Sequence, residues 1–222
     1  MNTASILYSA SIWILPVVFA ITLHEAAHGF VAWRLGDDTA YRQGRVSFNP
    51  LRHVDPFGTI LVPAVLLLSG ARFLFGWAKP VPVNFGRLRR PLADMVWVAA
   101  AGPGINLVLA FASAFLLHAT TVLPESAAHW AQANLVNSLQ LNVVLAVFNM
   151  LPVPPLDGGR VAVGLLPRSM ALPLARLERY GLFIILGGLF ILPMLGIDLF
   201  AWLVGVPANL LISLIGAVAG ID

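Results

Sequence analysis

The chain has 222 residues, of which 59% are hydrophobic and 10% charged, and its mean hydropathy is +0.87. Soluble domains carry about 25% charged residues, so this composition excludes a soluble globular protein and indicates a membrane protein. The pI of about 10.0 reflects a net charge of only +3. Because the cations are scattered in loops, nucleic-acid binding is not indicated. The chain has no cysteine, which excludes thiolate metal ligands.

The first apolar stretch begins close to Met1. Residues 6–23 form an uncharged run of 18 residues, and the helical pattern can continue to Arg34 with Pro16 as its one interruption. A bilayer is crossed by about 20 apolar residues, so this run predicts the first transmembrane helix. No basic segment precedes it, and we therefore expect a retained span rather than a cleaved signal peptide.

An H-E-x-x-H motif, His24, Glu25 and His28, lies within this helix. At about 100° per residue, the two imidazoles lie on one face, one turn apart, and the Glu25 carboxylate flanks them. This arrangement predicts a divalent-metal site with the glutamate as general base. A polar cluster without a metal is the alternative, but ionisable groups at membrane depth are costly and usually functional.

Residues 41–48 (Tyr-Arg-Gln-Gly-Arg-Val-Ser-Phe) lie in the loop after the first span. Gly44 is available for a turn or a bulge, so one interpretation is a small membrane-associated β-hairpin to which a substrate segment adds as another strand. The other is an ordinary loop that Arg42 and Arg45 anchor at lipid headgroups.

The later apolar stretches predict the rest of the architecture. Four are long enough, or nearly so, to cross a bilayer: residues 95–117, 135–151, 180–195 and 199–218. Residues 57–71 offer only 15 apolar residues before Arg72, which favours a re-entrant or interfacial segment.

The predicted fold is an all-α polytopic membrane protein of about five transmembrane helices plus one re-entrant or short helix. We expect residues 1–222 to form a single domain. Its core, residues 5–166, would carry both metal motifs, and residues 178–219 would form the C-terminal helices.

The cations predict the orientation of the spans. All 13 fall in three stretches, residues 34–52, 72–90 and 160–179, which the positive-inside rule places in the cytoplasm. Residues 119–133 contain no Lys or Arg and are predicted to lie outside. We therefore expect a multi-pass protein of the cell membrane whose active site faces the cytoplasmic side.

Asp157 is the preferred third metal ligand. It follows a segment with three prolines that cannot continue a helix, and irregular backbone at membrane depth is tolerated only where protein buries it or where it lines a water-filled cavity. Two histidines and one carboxylate are an established ligand set for a catalytic zinc. Asp55 and His53 are closer rivals in sequence, but they lie in a polar loop where turn roles are expected.

Two signatures together resemble those of the site-2 protease family, the membrane-embedded zinc metalloproteases. They are His24-Glu25-Ala26-Ala27-His28 and Asn149-x-x-Pro152-x-Pro154-x-Leu156-Asp157-Gly158. Residues 101–106, Ala-Gly-Pro-Gly-Ile-Asn, resemble a further family element. The resemblance is to the minimal prokaryotic type without a PDZ domain, and it favours the strand interpretation of residues 41–48.

The resemblance implies one Zn²⁺ per chain on His24, His28 and Asp157, with Glu25 as catalytic base and Asn149 near the substrate or the developing oxyanion. It implies an intramembrane zinc metalloprotease that hydrolyses peptide bonds within or near transmembrane segments of membrane-protein substrates in the lipid bilayer. The alternative is an ion- or proton-coupled transporter that uses the same buried cluster. A prenyl-protein processing protease is a further alternative, but the resemblance of residues 149–158 to the second signature argues against it.

Overall fold

The computed structural model describes residues 3–62, 64–65 and 78–221. Across these residues the chain is helical and contains no strand. Among the described residues, five helices are long and apolar enough to cross a membrane by length and composition: Leu7–Arg34, Pro91–Val122, Glu125–Asn149, Arg168–Met194 and Ala201–Ala219. The predicted all-α architecture with five candidate spans is confirmed.

The α-helices of the described residues are, in chain order, α1 (Thr3–Arg34), α2 (Thr39–Arg42), α3 (Pro91–Ala119), α4 (Glu125–Asn149), α5 (Asp157–Leu165), α6 (Arg168–Arg176), α7 (Gly181–Leu186), α8 (Leu192–Met194) and α9 (Val206–Ala219). Short 3₁₀ segments cover Pro50–Arg52, Phe85–Arg87, Thr120–Val122 and Leu177–Tyr180. Wider π-helical turns cover Pro56–Leu61, Gly187–Ile191 and Ala201–Gly205.

Helices α1, α3 and α4 pack on one another, and α5 packs against α3. Helix α9 contacts both α3 and α4. The buried cluster between these three is rich in small residues, which let helix backbones approach closely where lipid supplies no hydrophobic driving force between helices. Its members are Ala110, Ala114, Leu139, Val143, Ala208, Ile215 and Ala219.

The β-hairpin interpretation of residues 41–48 is not confirmed, since these residues contain no strand. Tyr41 and Arg42 complete the short helix α2, and Gly44 then turns the chain with φ +63°. The cause is local: the Asp37 carboxylate accepts from the Thr39 backbone N–H at 3.1 Å and from the Thr39 hydroxyl at 2.5 Å, which favours a helical turn there.

The predicted re-entrant segment, residues 57–71, lies mostly outside the described residues. Its first part belongs to the π-helical turn Pro56–Leu61, at whose start the Asp55 carboxylate accepts from the N–H groups of Phe57 and Gly58. Whether residues 57–71 cross or re-enter the membrane stays a prediction.

Helix α4 starts at Glu125, ten residues before the apolar stretch that predicted it, and the expected outside loop, residues 119–133, shrinks accordingly. Polar residues in the first half of α4 interrupt the apolar pattern, yet they are bonded within the bundle. Asn134 donates to the Trp130 carbonyl and Asn137 to the Ile12 carbonyl of α1, both at 3.0 Å. Because the NH₂ groups of both amides find backbone carbonyls, the helix can extend beyond its apolar part.

Candidate metal centre and active site

One face of α1 and the first residue of α5 meet in the interior of the molecule. His24 Nε2 and His28 Nε2 lie 3.1 Å apart, and Asp157 Oδ2 lies 3.2 Å from the first and 3.3 Å from the second. His24 is 9% exposed and Asp157 is 6% exposed, so the three ligand atoms converge in a largely water-free place. Within the described residues this is the group of His and acidic side chains that could hold a metal ion.

Two glycines let the turn before α5 fold tightly enough to bring Asp157 to α1. A Cβ on Gly158 would lie 2.1 Å from the Met150 carbonyl oxygen, and a Cβ on Gly159 would lie 2.3 Å from the Pro154 nitrogen. Both distances are far inside van der Waals contact, so neither position accepts a side chain without moving backbone. The Asp-Gly-Gly sequence is therefore needed where the chain leaves α4 and re-enters a helix.

The hydrogen bonds behind each imidazole fix where its lone pair points. His28 Nδ1 lies 2.7 Å from the Val98 carbonyl oxygen, which can only accept, so His28 Nδ1 carries the proton. His24 Nδ1 lies 2.5 Å from Asn106 Oδ1, which likewise accepts. When the rings are neutral, each Nε2 is then an acceptor facing the Asp157 carboxylate. Three acceptors without a donor between them form a site for a cation.

The spacing of these atoms fits zinc. Zinc–nitrogen and zinc–oxygen bonds of about 2.0–2.1 Å set tetrahedral ligand atoms roughly 3.3 Å apart, close to the three distances observed. Two imidazoles and a carboxylate are also a common ligand set of catalytic zinc, which leaves a position for water.

Gly102 of α3 keeps space free beside the two rings. A Cβ at this position would lie 2.4 Å from His28 Nε2 and 2.6 Å from His24 Nε2. A side chain at position 102 would therefore fill the space between α3 and the two Nε2 atoms.

The electrostatics around Asp157, which lies outside the five candidate spans, favour its ionised form. Burial by itself would raise the pKa of the Asp157 carboxyl, but when His24 and His28 are protonated at Nε2, as in the site without a cation, their hydrogen bonds and charges hold that pKa below its ordinary value. Asp157 is thus a carboxylate, the form that binds a metal.

Glu25 lies beside the cluster, half-buried, and is held by a segment that crosses over α1. The Val81 backbone N–H donates to Glu25 Oε2 at 2.7 Å. The segment, residues 78–84, has no helix or strand and is itself fixed from the other side. The Arg45 guanidinium donates to the carbonyls of Lys79 at 2.6 Å and Pro80 at 3.2 Å.

The other candidates from the sequence lie elsewhere. His53 Nε2 donates to the Ser47 carbonyl at 2.9 Å, and Asp55 caps the π-helical turn, so neither joins the cluster. Asn149 ends α4, and its Nδ2 donates to the Leu145 carbonyl at 3.0 Å. Its predicted place near the substrate is untested.

Two buried amides escaped the reasoning from sequence. In the sequence, Asn106 stands out only as part of the Ala-Gly-Pro-Gly-Ile-Asn segment, and Asn142 was not singled out. Both are 0% exposed; Asn106 bonds His24 directly, and Asn142 bonds Asn106. The signal that could have found them is an amide in the middle of an apolar span, since such groups must find partners inside the bundle.

Comparison with known proteins points to one family. The sequence model of peptidase family M50 matches residues 118–192. "Putative zinc metalloprotease YwhC" of Bacillus subtilis is 41% identical over 193 residues, which cover 82% of this chain and 80% of that protein. "Putative zinc metalloprotease MJ0611" of Methanocaldococcus jannaschii is 30% identical over 172 residues, 72% of this chain and 80% of that protein.

A third relative is longer. "Putative zinc metalloprotease Rip2" of Mycobacterium tuberculosis (strain H37Rv) is 36% identical over 141 residues, 63% of this chain and 51% of that protein. The match thus spans about half the length of this mycobacterial relative. No solved structure gives a significant match to the chain.

Proposed function

The chain belongs to peptidase family M50 and is a membrane zinc metalloprotease, and from this premise we propose that it hydrolyses peptide bonds within or near transmembrane segments of membrane proteins. His24, His28 and Asp157 hold the zinc, and Glu25 is the general base. The observation that carries the proposal is the convergence of three acceptor atoms at 3.1–3.3 Å beside a carboxylate, between helices of membrane-spanning length.

Zinc, when bound, supplies Lewis acidity that polarises a peptide carbonyl and acidifies water. The protein supplies the proton transfers. The Glu25 carboxylate takes the proton of the attacking water and passes it to the leaving amide nitrogen. The Val81 N–H holds one carboxylate oxygen, which keeps Glu25 turned toward the ligand side of α1. The burial of the cluster limits bulk water and strengthens each of these interactions.

The substrate must be unwound at the cleaved bond, because a transmembrane helix satisfies its peptide carbonyls within its own hydrogen bonds. Asn149 is our candidate to contact the substrate or the developing oxyanion. Its Nδ2 now donates to the Leu145 carbonyl, so this role requires the amide to change partner when substrate binds.

We place the protein in the cell membrane with the active site toward the cytoplasm. The three cation-bearing stretches support this orientation, since the end of α1 and the turn before α5 adjoin two of them.

The test is cleavage of candidate single-span substrates by the purified protein in proteoliposomes, with zinc measured per chain. Glu25→Gln should keep about one zinc and lose activity by a factor of about 10² to 10⁴, the usual contribution of a general base. His24→Ala and Asp157→Ala should lose zinc as well as activity. Cleavage by Glu25→Gln at the unmodified rate would refute the role of Glu25. A protein that binds no zinc would favour the transporter alternative.

A further inference from the structure

A chain of buried amides runs from the metal centre into α4. His24 Nδ1 bonds Asn106 Oδ1 of α3, and Asn106 Nδ2 donates to Asn142 Oδ1 of α4 at 2.7 Å. Asn142 Nδ2 then donates to the Ser138 backbone carbonyl at 2.8 Å. Both asparagines are 0% exposed. The three helices that form the bundle are thus joined by one polar path that ends on a ring of the ligand set.

The direction of every hydrogen bond in this path is set at its far end. The Ser138 carbonyl can only accept, so the Asn142 amide must present its NH₂ group there and its oxygen to Asn106. Asn106 must then present its NH₂ group to Asn142 and its oxygen to His24. The last acceptor in the path faces His24 Nδ1, which is left as the donor.

A second carbonyl agrees with this direction. Asn106 Nδ2 also lies 3.5 Å from the Ala20 carbonyl oxygen of α1, on the same side as the Asn142 oxygen. Turning the Asn106 amide over would bring its oxygen against two acceptors. The Asn142 oxygen and the Ala20 carbonyl therefore fix the orientation of the Asn106 amide independently of each other. Reversing the amide would leave buried oxygens without a hydrogen-bond donor, which is energetically costly.

We propose that Asn142 and Asn106 are positioning residues that hold His24 in the tautomer with the proton on Nδ1, so that the Nε2 lone pair is always available to zinc. The proposal rests on the role of His24 as a ligand in the proposed function. Partners behind a metal-bound histidine fix its tautomer and ring orientation, and their loss typically costs 10- to 100-fold in metal affinity. Here the controlling group lies on a different helix from the ligand.

The first test needs no substitution. The metal-free protein labelled with ¹⁵N-histidine is examined by NMR, with the His24 signals assigned from their loss in His24→Gln. At a pH where the His24 ring is neutral, the expected result is a protonated Nδ1 and an unprotonated Nε2. A neutral ring with its proton on Nε2 would overturn the proposal, while zinc binding by the same protein would leave the proposed function standing.

The second test compares matched variants of α3 and α4 in the full chain. Asn142→Leu removes the partner of Asn106 and should mix the two tautomers of His24 and raise the zinc dissociation constant about tenfold. Asn106→Leu should raise that constant 10- to 100-fold. The control is Asn137→Leu, which breaks a hydrogen bond of the same kind between α4 and α1 at the Ile12 carbonyl. It should leave both readouts unchanged.

The results separate positioning from a general loss of packing. Unchanged tautomer and zinc affinity in a folded Asn142→Leu protein would contradict the proposal, as would equal losses in Asn137→Leu and Asn142→Leu. If neither asparagine variant folds, the NMR result on the unmodified chain decides. A protein with the expected tautomer but no affinity for zinc would instead refute the proposed function and leave the positioning of His24 intact.

Discussion

Gly102 faces the ligand nitrogens from α3, and its lack of a side chain is what leaves room between the two rings. Alanine is normally better than glycine in a helix by about 1 kcal/mol, so the glycine is retained here against helix propensity. Its reason is steric: the missing Cβ would lie 2.4 Å from His28 Nε2.

Gly102→Ala should therefore abolish zinc binding and cleavage while leaving the helix intact. Gly104→Ala is the matched control, because a Cβ there meets no atom within 4 Å. Zinc per chain and helix content by circular dichroism check both variants. Full zinc occupancy in Gly102→Ala would show that the metal does not lie between these rings.

At this scale the sequence was informative where the chemistry is local. The spacing of His24 and His28 on one helix puts both imidazoles on one face with Glu25 flanking them, so their grouping was predictable. Asp157 was reached through the break in the chain and the family resemblance. Asn106 and Asn142 were not predictable as a pair, since their contact depends on how α3 and α4 pack.

Among the elements, residues 78–84 bear most on the proposed role of Glu25, because their backbone donates a hydrogen bond to its carboxylate. Val81 lies between Pro80 and Pro82, and a proline at this position removes the N–H that Glu25 accepts from and replaces the buried valine side chain with another apolar one. A hydrogen bond to a charged group contributes about 1.5–3 kcal/mol.

Val81→Pro should thus lower turnover about 10- to 100-fold with zinc content unchanged. Val83→Pro, two residues further along the same segment, is the control and should cleave at close to the unmodified rate. Steady-state kinetics in proteoliposomes make the comparison. Equal activity of the two variants would mean that Glu25 does not depend on this contact.

The elements also show where the structure departs from two expectations from sequence. Residues 41–48 form no strand, since the Asp37 carboxylate accepts from the Thr39 backbone N–H and favours the helical turn Thr39–Arg42. Helix α4 begins before the apolar stretch because Asn134 and Asn137 each donate to a backbone carbonyl, which hydropathy does not take into account. In both cases specific hydrogen bonds determined the local structure, and the pattern of apolar and polar residues did not.

For the whole molecule, zinc would cross-link α1 to α5, two helices far apart in sequence. A ligand that binds only the folded state at 100 times its dissociation constant stabilises by about 2.7 kcal/mol. At about 2–4 °C per kcal/mol for a chain of this size, chelation should lower the melting temperature by roughly 5–10 °C. Asp157→Ala should melt at the same temperature with and without chelator; a chelator effect of normal size in this variant would contradict the cross-link.

The orientation in the membrane can be tested because the chain has no cysteine of its own. Phe48 and Val122 are 77% and 84% exposed, in stretches predicted to lie on opposite sides. In intact cells a membrane-impermeant maleimide should label Val122→Cys and spare Phe48→Cys until the membrane is opened. The reverse pattern would place the active site on the outer side.

The most direct test of the central claim is to locate zinc in the purified protein by anomalous X-ray scattering at the zinc edge. We expect one zinc per chain, bonded to His24 Nε2, His28 Nε2 and a carboxylate oxygen of Asp157 at about 2.0–2.2 Å. Zinc bonded elsewhere, for example to His53, or a zinc site that lacks Asp157, would contradict it.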